Sequence, residues 1–302
     1  MTDRTDHKDI RIGTLVPCNR VDPIAYIKEI LPHGFESFQL FFWGTLGGMD
    51  LSSLAEGLNE ALEGTDAVIS SLGLFGNPMD TEPQDEQCLK DWQTCIDAAP
   101  MFGCDVVAGF TGRLRGRSID ENIPRFREVW TPLAERAEAN KVRIAFENCP
   151  MEGTWETGDW NIAHNPAAWE LMFDAVPSEY VGLEWEPCHQ MTQLIEPIPQ
   201  IKDWCQRFVH VHGKDATILW DVIARDGIGG KTQFVYHRTP GFGDSDWKRI
   251  ITLLRMHGYT GTIDIEGWHD PVYRGDLEMT GQVLGLNYLK ECRGGAYYAN
   301  PT

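Results

Sequence analysis

The sequence predicts an α/β fold, a single closed (β/α)8 TIM barrel, and three observations carry that prediction. Eight short runs rich in Val, Ile and Phe alternate with amphipathic stretches. Such alternation builds a parallel sheet with helical crossovers, and eight strands is the number that closes on itself. The chain has 302 residues, which suits one barrel of about 250 residues with extensions. The rival, a doubly wound open sheet, needs a phosphate-binding glycine turn after an early strand, and no GxGxxG follows the first strand here. The expected domain is the whole of 1–302, with its core from about 10 to 291 and short extensions at either end.

Taken in order, the first strand is read at 10–16 (IRIGTLV), followed by a helix in DPIAYIKEIL with an Asp cap at Asp22. The second strand falls at 36–42 (ESFQLFF) and the third at 66–72 (DAVISSL). A helix over 86–103 then sets Leu89, Trp92, Cys95 and Ile96 on one face. The fourth strand, 104–110 (CDVVAGF), precedes a helix at 121–140 with apolar residues at three- and four-residue spacing. The remaining strands are 142–147 (VRIAFE), 180–186 (YVGLEWE), 207–213 (RFVHVHG) and 261–266 (GTIDIE), most of the eight being followed by Gly, Pro or Asn. Helical patterns in DSDWKRIITLLRMHG and LEMTGQVLGLNYLKE flank the last strand. Two long connections, 148–165 and 214–244, stand out. Long loops inside a compact domain tend to be functional, and in a barrel the loops after the strands build the active-site face.

The formal charge is −19, from 45 acidic and 26 basic residues. That field repels polyanions and disfavours a nucleic-acid partner. No apolar run approaches the roughly 18 residues of a membrane span. The N-terminal MTDRTDHKDIRIG lacks a signal peptide's apolar stretch, so the expected location is cytoplasmic. The eight cysteines contain no CxxC pair and are expected to be reduced core residues.

The chemistry is concentrated at the ends of the last four strands. The fifth ends in Glu147, the sixth in Glu186 with His189 three residues on, the seventh carries His210 and His212, and the eighth ends in Glu266. Three carboxylates converging on one barrel mouth repel one another, and a divalent cation removes that penalty. The expected metal ligands are therefore Glu147, Glu186, His212 and Glu266. His210 shares the parity of His212 and sits one layer deeper, and Glu184, of the same parity as Glu186, supports the site from below or pairs with a lysine. Oxygen plus one imidazole suits manganese first, with magnesium, cobalt and zinc as alternatives. Aromatic pocket walls are expected from Phe41, Phe42, Trp43, Phe75, Trp155, Trp185 and Trp268, with Trp268 foremost. Arg113, Arg115 and Arg117 form a basic cluster, read either as a solvated loop or as an anchor for an acidic substrate.

The segments RIAFEN, VGLEWEPCH, HVHGKDA, RTPGFGDSDW and GYTGTIDIEGWHDP, in that order, resemble the xylose isomerase-like barrel superfamily of sugar isomerases and epimerases, from about residue 10 to about 290. The resemblance implies a metal held by the same four residues, Glu147, Glu186, His212 and Glu266, and a substrate-oxygen contact by His189. Two departures matter. The superfamily usually has Asp where Glu186 stands, and its ketose 3-epimerases carry an arginine shortly after the metal histidine, where this chain reads HGKDATILWD. Lys214 or Asp215 is expected to take part of that arginine's role, with Lys214 equally able to pair with a carboxylate.

The expected activity is a divalent-metal-dependent sugar isomerase or epimerase, moving a proton next to the carbonyl of a ketose or keto-sugar. Glu147 and Glu266 are the catalytic acid–base pair, and His189, Lys214, Trp268 and Trp155 are the substrate-binding residues. The alternative is a dehydratase or lyase of a keto-sugar, keto-glycoside or inosose on the same barrel. The partner is a small sugar, and self-association into a homo-oligomer is left open.

Overall fold

The computed structural model describes residues 9–295 together with 298, 300 and 301. Residues 1–8, the start of the segment read above for a leader, lie outside the described residues. The barrel strands are β1 (Arg11–Pro17), β2 (Ser37–Trp43), β3 (Val68–Phe75), β4 (Val106–Gly109), β5 (Arg143–Glu147), β6 (Val181–Trp185) and β7 (Phe208–Gly213). An antiparallel hairpin of β8 (Asp215–Ile218) and β9 (Val235–Arg238) follows, and β10 (Thr262–Ile265) completes the barrel. All barrel pairs are parallel, and β1 closes the ring by pairing with β10, Arg11 opposite Thr262 and Thr14 opposite Ile265. Each of the eight strands read from the sequence overlaps one of these.

The helices are α1 (Pro23–Ile30), α2 (Leu51–Ala61), α3 (Pro83–Ala98), α4 (Ile119–Asn140), α5 (Pro166–Ala175), α6 (Pro187–Met191), α7 (Pro197–Trp204), α8 (Trp220–Asp226), α9 (Trp247–Met256) and α10 (Glu278–Arg293). Asp22 caps α1 as expected, accepting from the backbone N–H groups of Ile24 and Ala25. Helix α4 begins two residues before the sequence pattern suggests, because Ser118 and Glu121 form a capping box at its start. Helix α3 ends at Ala98, earlier than the apolar pattern runs, and a single 3-10 turn carries the chain over Pro100 to Phe102.

Aromatic side chains fill the layer between sheet and helices. Trp130 of α4 meets Trp92 of α3 and Phe146 of β5 at centroid separations of 4.8 and 4.5 Å. Trp185 stacks on Phe208 and donates its indole N–H to Gln200 of α7. Phe42 is likewise fully buried in the core. Trp185 and Phe42 are thus barrel packing and not pocket wall, since strand alternation turns them away from the faces of Glu184, Glu186, Phe41 and Trp43. All eight cysteines are free thiols, seven of them buried. Among the described residues no helix is long and apolar enough to cross a membrane.

The interior of the barrel is polar. Gln39 of β2 donates to Glu184 of β6 at 2.5 Å, a bond between strands that are not sheet neighbours and so one that crosses the interior. His210 lies between Glu184 (2.8 Å) and Asp264 of β10 (2.7 Å). Ser37, Ser70 and Thr262 also donate to the Asp264 carboxylate. Barrels more often fill this space with layers of Val, Ile and Leu. A buried charged stack persists only where each member is paired.

Candidate active site

The C-terminal ends of β5, β6, β7 and β10 bring Glu147, Glu186, His212 and Glu266 to one point. His212 Nδ1 lies 3.0 Å from Glu147 Oε1, 3.3 Å from Glu186 Oε2 and 3.4 Å from Glu266 Oε2. Its other ring nitrogen, Nε2, lies 2.7 Å from Gln39 Oε1 and 3.1 Å from Glu184 Oε1. Both neighbours of Nε2 are acceptors, so the network assigns the proton to Nε2. Nδ1 faces three carboxylate oxygens, and although burial opposes charge on the ring, Glu184, Glu147 and Glu186 outweigh it and hold His212 well above the ordinary imidazole value, so that in the chain by itself Nδ1 also carries a proton. A divalent cation among those oxygens would take the place of that proton.

Two further observations fit a resident divalent metal. Glu186 Oε1 and Glu266 Oε2 are buried without a well-formed hydrogen bond, their imidazole neighbours His189 and His212 lying at 3.2 and 3.4 Å, although buried carboxylate oxygens ordinarily find good donors. Donor atoms of Glu147, Glu186, His189 and Glu266 also lie within 4.8 Å of one another. His189, expected at the substrate, therefore stands inside the same cluster, its Nε2 3.2 Å from Glu186 Oε1. Its place on the single turn of α6, three residues after Glu186, explains the convergence.

Lys214 reaches over the cluster, its Nζ 2.9 Å from Glu266 Oε1 and 3.5 Å from Glu186 Oε1. His269 Nδ1 is 3.0 Å from Glu266 Oε1 on the outer side. These neighbours set the charge states of the chain by itself. Burial pushes the Glu147 carboxyl up to about 7 and Glu186 well above the usual carboxylate range. Burial acts on Glu266 too, but the Lys214 ammonium and the hydrogen bonds of His212 and His269 hold it well below that range. Burial, then Lys214 and His237, keep His189 neutral. One layer down, the same opposition is resolved the other way. His212 and His210 outweigh burial and hold Glu184 down to about 2, while Asp264 and Glu184 outweigh burial and raise His210 above the ordinary imidazole value.

The cluster opens into a cavity of about 740 Å³. Phe41, Trp43, Phe75 and Trp268 line it, as expected, with His189, His212 and Lys214. Trp155 does not. Its indole donates to Asp120 of α4, so the loop after β5 turns it away from the mouth and presents Trp160 and Met151 instead. Phe110, His237 and His269 also line the cavity. His237 comes from β9, inside a segment that reads in the sequence only as a long loop. Met151, Glu152 and Trp268 on the cavity wall have positive φ angles of 46°, 61° and 49°. Such backbone in non-glycine residues is strained and collects at working sites.

The arginine cluster answers to neither sequence reading. Arg113 is fully buried and donates to the carbonyls of Arg117, Thr154 and Trp155, tying the loop after β4 to the loop after β5. Arg115 is paired with Asp80 and Asp85. Only Arg117 is a solvated side chain, paired with Glu121.

Fold and site together define a closed parallel barrel with a buried acid–imidazole cluster at the C-terminal mouth of its strands. The chain belongs to the xylose isomerase-like TIM barrel family, which it matches over residues 27–292. It is 23% identical over 241 residues, 69% of its length and 74% of the relative's, to the uncharacterized protein YfiH of Bacillus subtilis (strain 168). Among solved structures it is similar to the apo form of the 3-keto-D-glucoside 4-epimerase YcjR from E. coli, with a TM-score of 0.69 and 17% identity over 94% of this chain and 100% of that one. It is similar to D-psicose 3-epimerase crystallised in the presence of D-fructose, with a TM-score of 0.69 and 13% identity over 95% and 100% of the two chains. The IOLI protein with a bound zinc atom aligns with a TM-score of 0.65 and 15% identity over 94% and 96%. At these identities the structural likeness establishes the barrel.

Proposed function

We propose that this chain is a divalent-metal-dependent sugar isomerase or epimerase that moves a proton next to the carbonyl of a ketose or keto-sugar. The observation that carries the reading is the convergence of three carboxylates from three strands on His212 Nδ1. The presence of keto-sugar epimerases and a zinc-holding protein among its structural neighbours supports the same reading.

Glu147, Glu186, His212 and Glu266 would hold the ion, and manganese is the expected occupant. When bound, it supplies Lewis-acid polarisation of the carbonyl and the adjacent hydroxyl. Glu147 and Glu266 reach the site from strands three places apart in the ring, so each addresses a different side of a sugar placed between them. Glu147 removes the proton from the carbon beside the carbonyl. Glu266 returns one to the opposite face or to the neighbouring carbon. Because the reaction is reversible, the pair exchange roles between the two isomers. The neutral His189 imidazole and the Lys214 ammonium, 3.5 Å apart, orient substrate oxygens, taking the place of the arginine of ketose 3-epimerases. Trp268 and the neighbouring aromatic faces pack on the sugar's C–H surfaces.

The test is solvent exchange. Manganese-loaded protein in heavy water with a panel of ketoses and keto-glycosides should give an isomer that gains one deuterium and loses no other mass. Glu147→Gln should lower the exchange rate at least about 10²-fold, the lower end of what a general base contributes. Loss of water or of an aglycone would move the assignment to elimination. Absence of exchange on the whole panel, with manganese, magnesium, cobalt and zinc each supplied, would overturn it.

A further inference from the structure

We propose that the site takes a keto-glycoside with a flat aryl aglycone, the sugar ring lying at the acid–imidazole cluster and the aglycone stacked on the face of the Trp43–Trp160 pair at the rim. The inference rests on the functional reading above and adds the half of the substrate on which that reading is silent.

The cavity is divided by chemistry. Its polar groups stand at the inner end, where Glu147, His189, His212, Lys214 and Glu266 converge and His237 and His269 flank them. From there an aromatic path leads outward. Phe75 lies 6.2 Å from the His212 ring, Phe110 5.3 Å from Phe75, Trp43 6.2 Å from Phe110 and Trp160 5.6 Å from Trp43. Each step is comparable to the width of one six-membered ring, so the path is several rings long. A single sugar held at the cluster covers only its first steps.

Volume agrees. At about 740 Å³ the cavity lies in the upper part of the roughly 300–1,000 Å³ range of pockets that bury drug-sized ligands, well beyond one sugar ring. Trp43 at the outer end is 44% exposed, and its ring lies against that of Trp160 at a tilt of 40°, so that the pair presents aromatic surface to the cavity. Arg20 and Glu152 are the charged residues there, beside Met151 and Pro150. An aryl ring buries apolar area there and stacks on the indole faces. No covalent change at the aglycone is involved. The proton transfer takes place on the sugar ring and the glycosidic bond stays intact.

The experiment uses manganese-loaded protein and unreactive glycosides as binding probes. Calorimetry would compare methyl and nitrophenyl D-glucopyranosides, in both anomers, with cellobiose and maltose. An aryl advantage of about tenfold or more over the methyl glycoside is expected from the added aromatic burial. In Trp43→Ala and Trp160→Ala that ratio should collapse to within about twofold, with circular dichroism and manganese affinity showing that both variants remain folded and loaded. Equal affinity for methyl and aryl glycosides, tighter binding of the disaccharides, or an undiminished ratio in both variants would each overturn the inference. If exchange in heavy water persists on free ketoses or methyl keto-glycosides while the aryl advantage is absent, only this inference fails. If no sugar undergoes exchange, the functional reading fails with it.

Discussion

His212 owes its role to residues that never meet the substrate. Its Nε2 proton is fixed by Gln39 and Glu184, Glu184 is held by His210, and His210 by Asp264. The network spans five strands and ends on the hydroxyls of Ser37 and Ser70. Groups placed in this way behind a ligand set its tautomer and basicity, and their loss costs metal affinity about 10- to 100-fold. Glu184→Gln keeps the shape but offers His212 and His210 an amide in place of a carboxylate. Manganese titration followed by electron paramagnetic resonance should show weakening of about tenfold or more, with thermal stability measured on the metal-free protein as a control. A variant binding manganese as tightly as wild type would show that Glu184 serves only the packing of the interior. The four residues proposed to hold the ion were legible in the sequence, because each stands at the end of a strand pattern. Gln39 was not, since its two partners are 145 and 173 residues away and a lone glutamine in an apolar run gives no sign of them.

At the scale of the elements, the strands were readable for a simple reason. Each is a short β-branched or aromatic run ended by a turn residue, and tertiary context does not override that pattern. The helices were readable at their faces but less so at their ends, which caps at Ser118 and the turn after Ala98 decide. The hairpin of β8 and β9 was read only as a long loop, because its strands are four residues each and a glycine-rich stretch separates them. The last helix shows how the bottom of the barrel is secured. Arg293 at the end of α10 donates to both oxygens of Glu36, at 2.5 and 3.0 Å, and to the carbonyl of Ile10. Burial raises the Glu36 pKa, but Arg293, the Ile12 N–H and Lys290 together bring it below the ordinary carboxylate value. A carboxyl lowered on folding contributes stability that is complete above its unfolded pKa and lost as pH falls through the folded one. Arg293→Leu should therefore cost about 2 kcal/mol at neutral pH, less than a fully buried pair because Glu36 keeps Lys290 and Ile12. The difference between wild type and variant should shrink below about pH 4. Denaturant titrations at pH 7 and pH 3.5 would check it, and a gap that stays constant between them would mean that Arg293 acts by packing alone.

The whole molecule concentrates negative charge on its axis as well as on its surface. Glu147, Glu184, Glu186, Glu266 and Asp264 are buried together, with Lys214 the one lysine or arginine paired to them among the described residues. The raised pKa of His210 answers Glu184 and Asp264. The upper three carboxylates keep an excess that only a proton on Glu147 or Glu186, or a cation, relieves. A divalent ion that binds the folded chain and not the unfolded one adds stability by mass action, about 2.7 kcal/mol at a hundred times its dissociation constant. For a chain of this size that amounts to roughly 5 °C in Tm. Melting curves of metal-stripped protein should rise by about that much on adding manganese and fall back with chelator. The net charge of −19 demands a control, because any salt screens a surface so acidic. Sodium chloride at matched ionic strength supplies the screening without the site, and only the excess of the manganese shift over it counts. Glu186→Gln removes one of the proposed ligands, fully buried and outside the cavity lining, so it should abolish that excess while leaving the response to sodium chloride unchanged. Equal responses to both salts in wild type would mean that the buried acids are balanced by protons alone, and that the three carboxylates around His212 form a structural network without a resident ion.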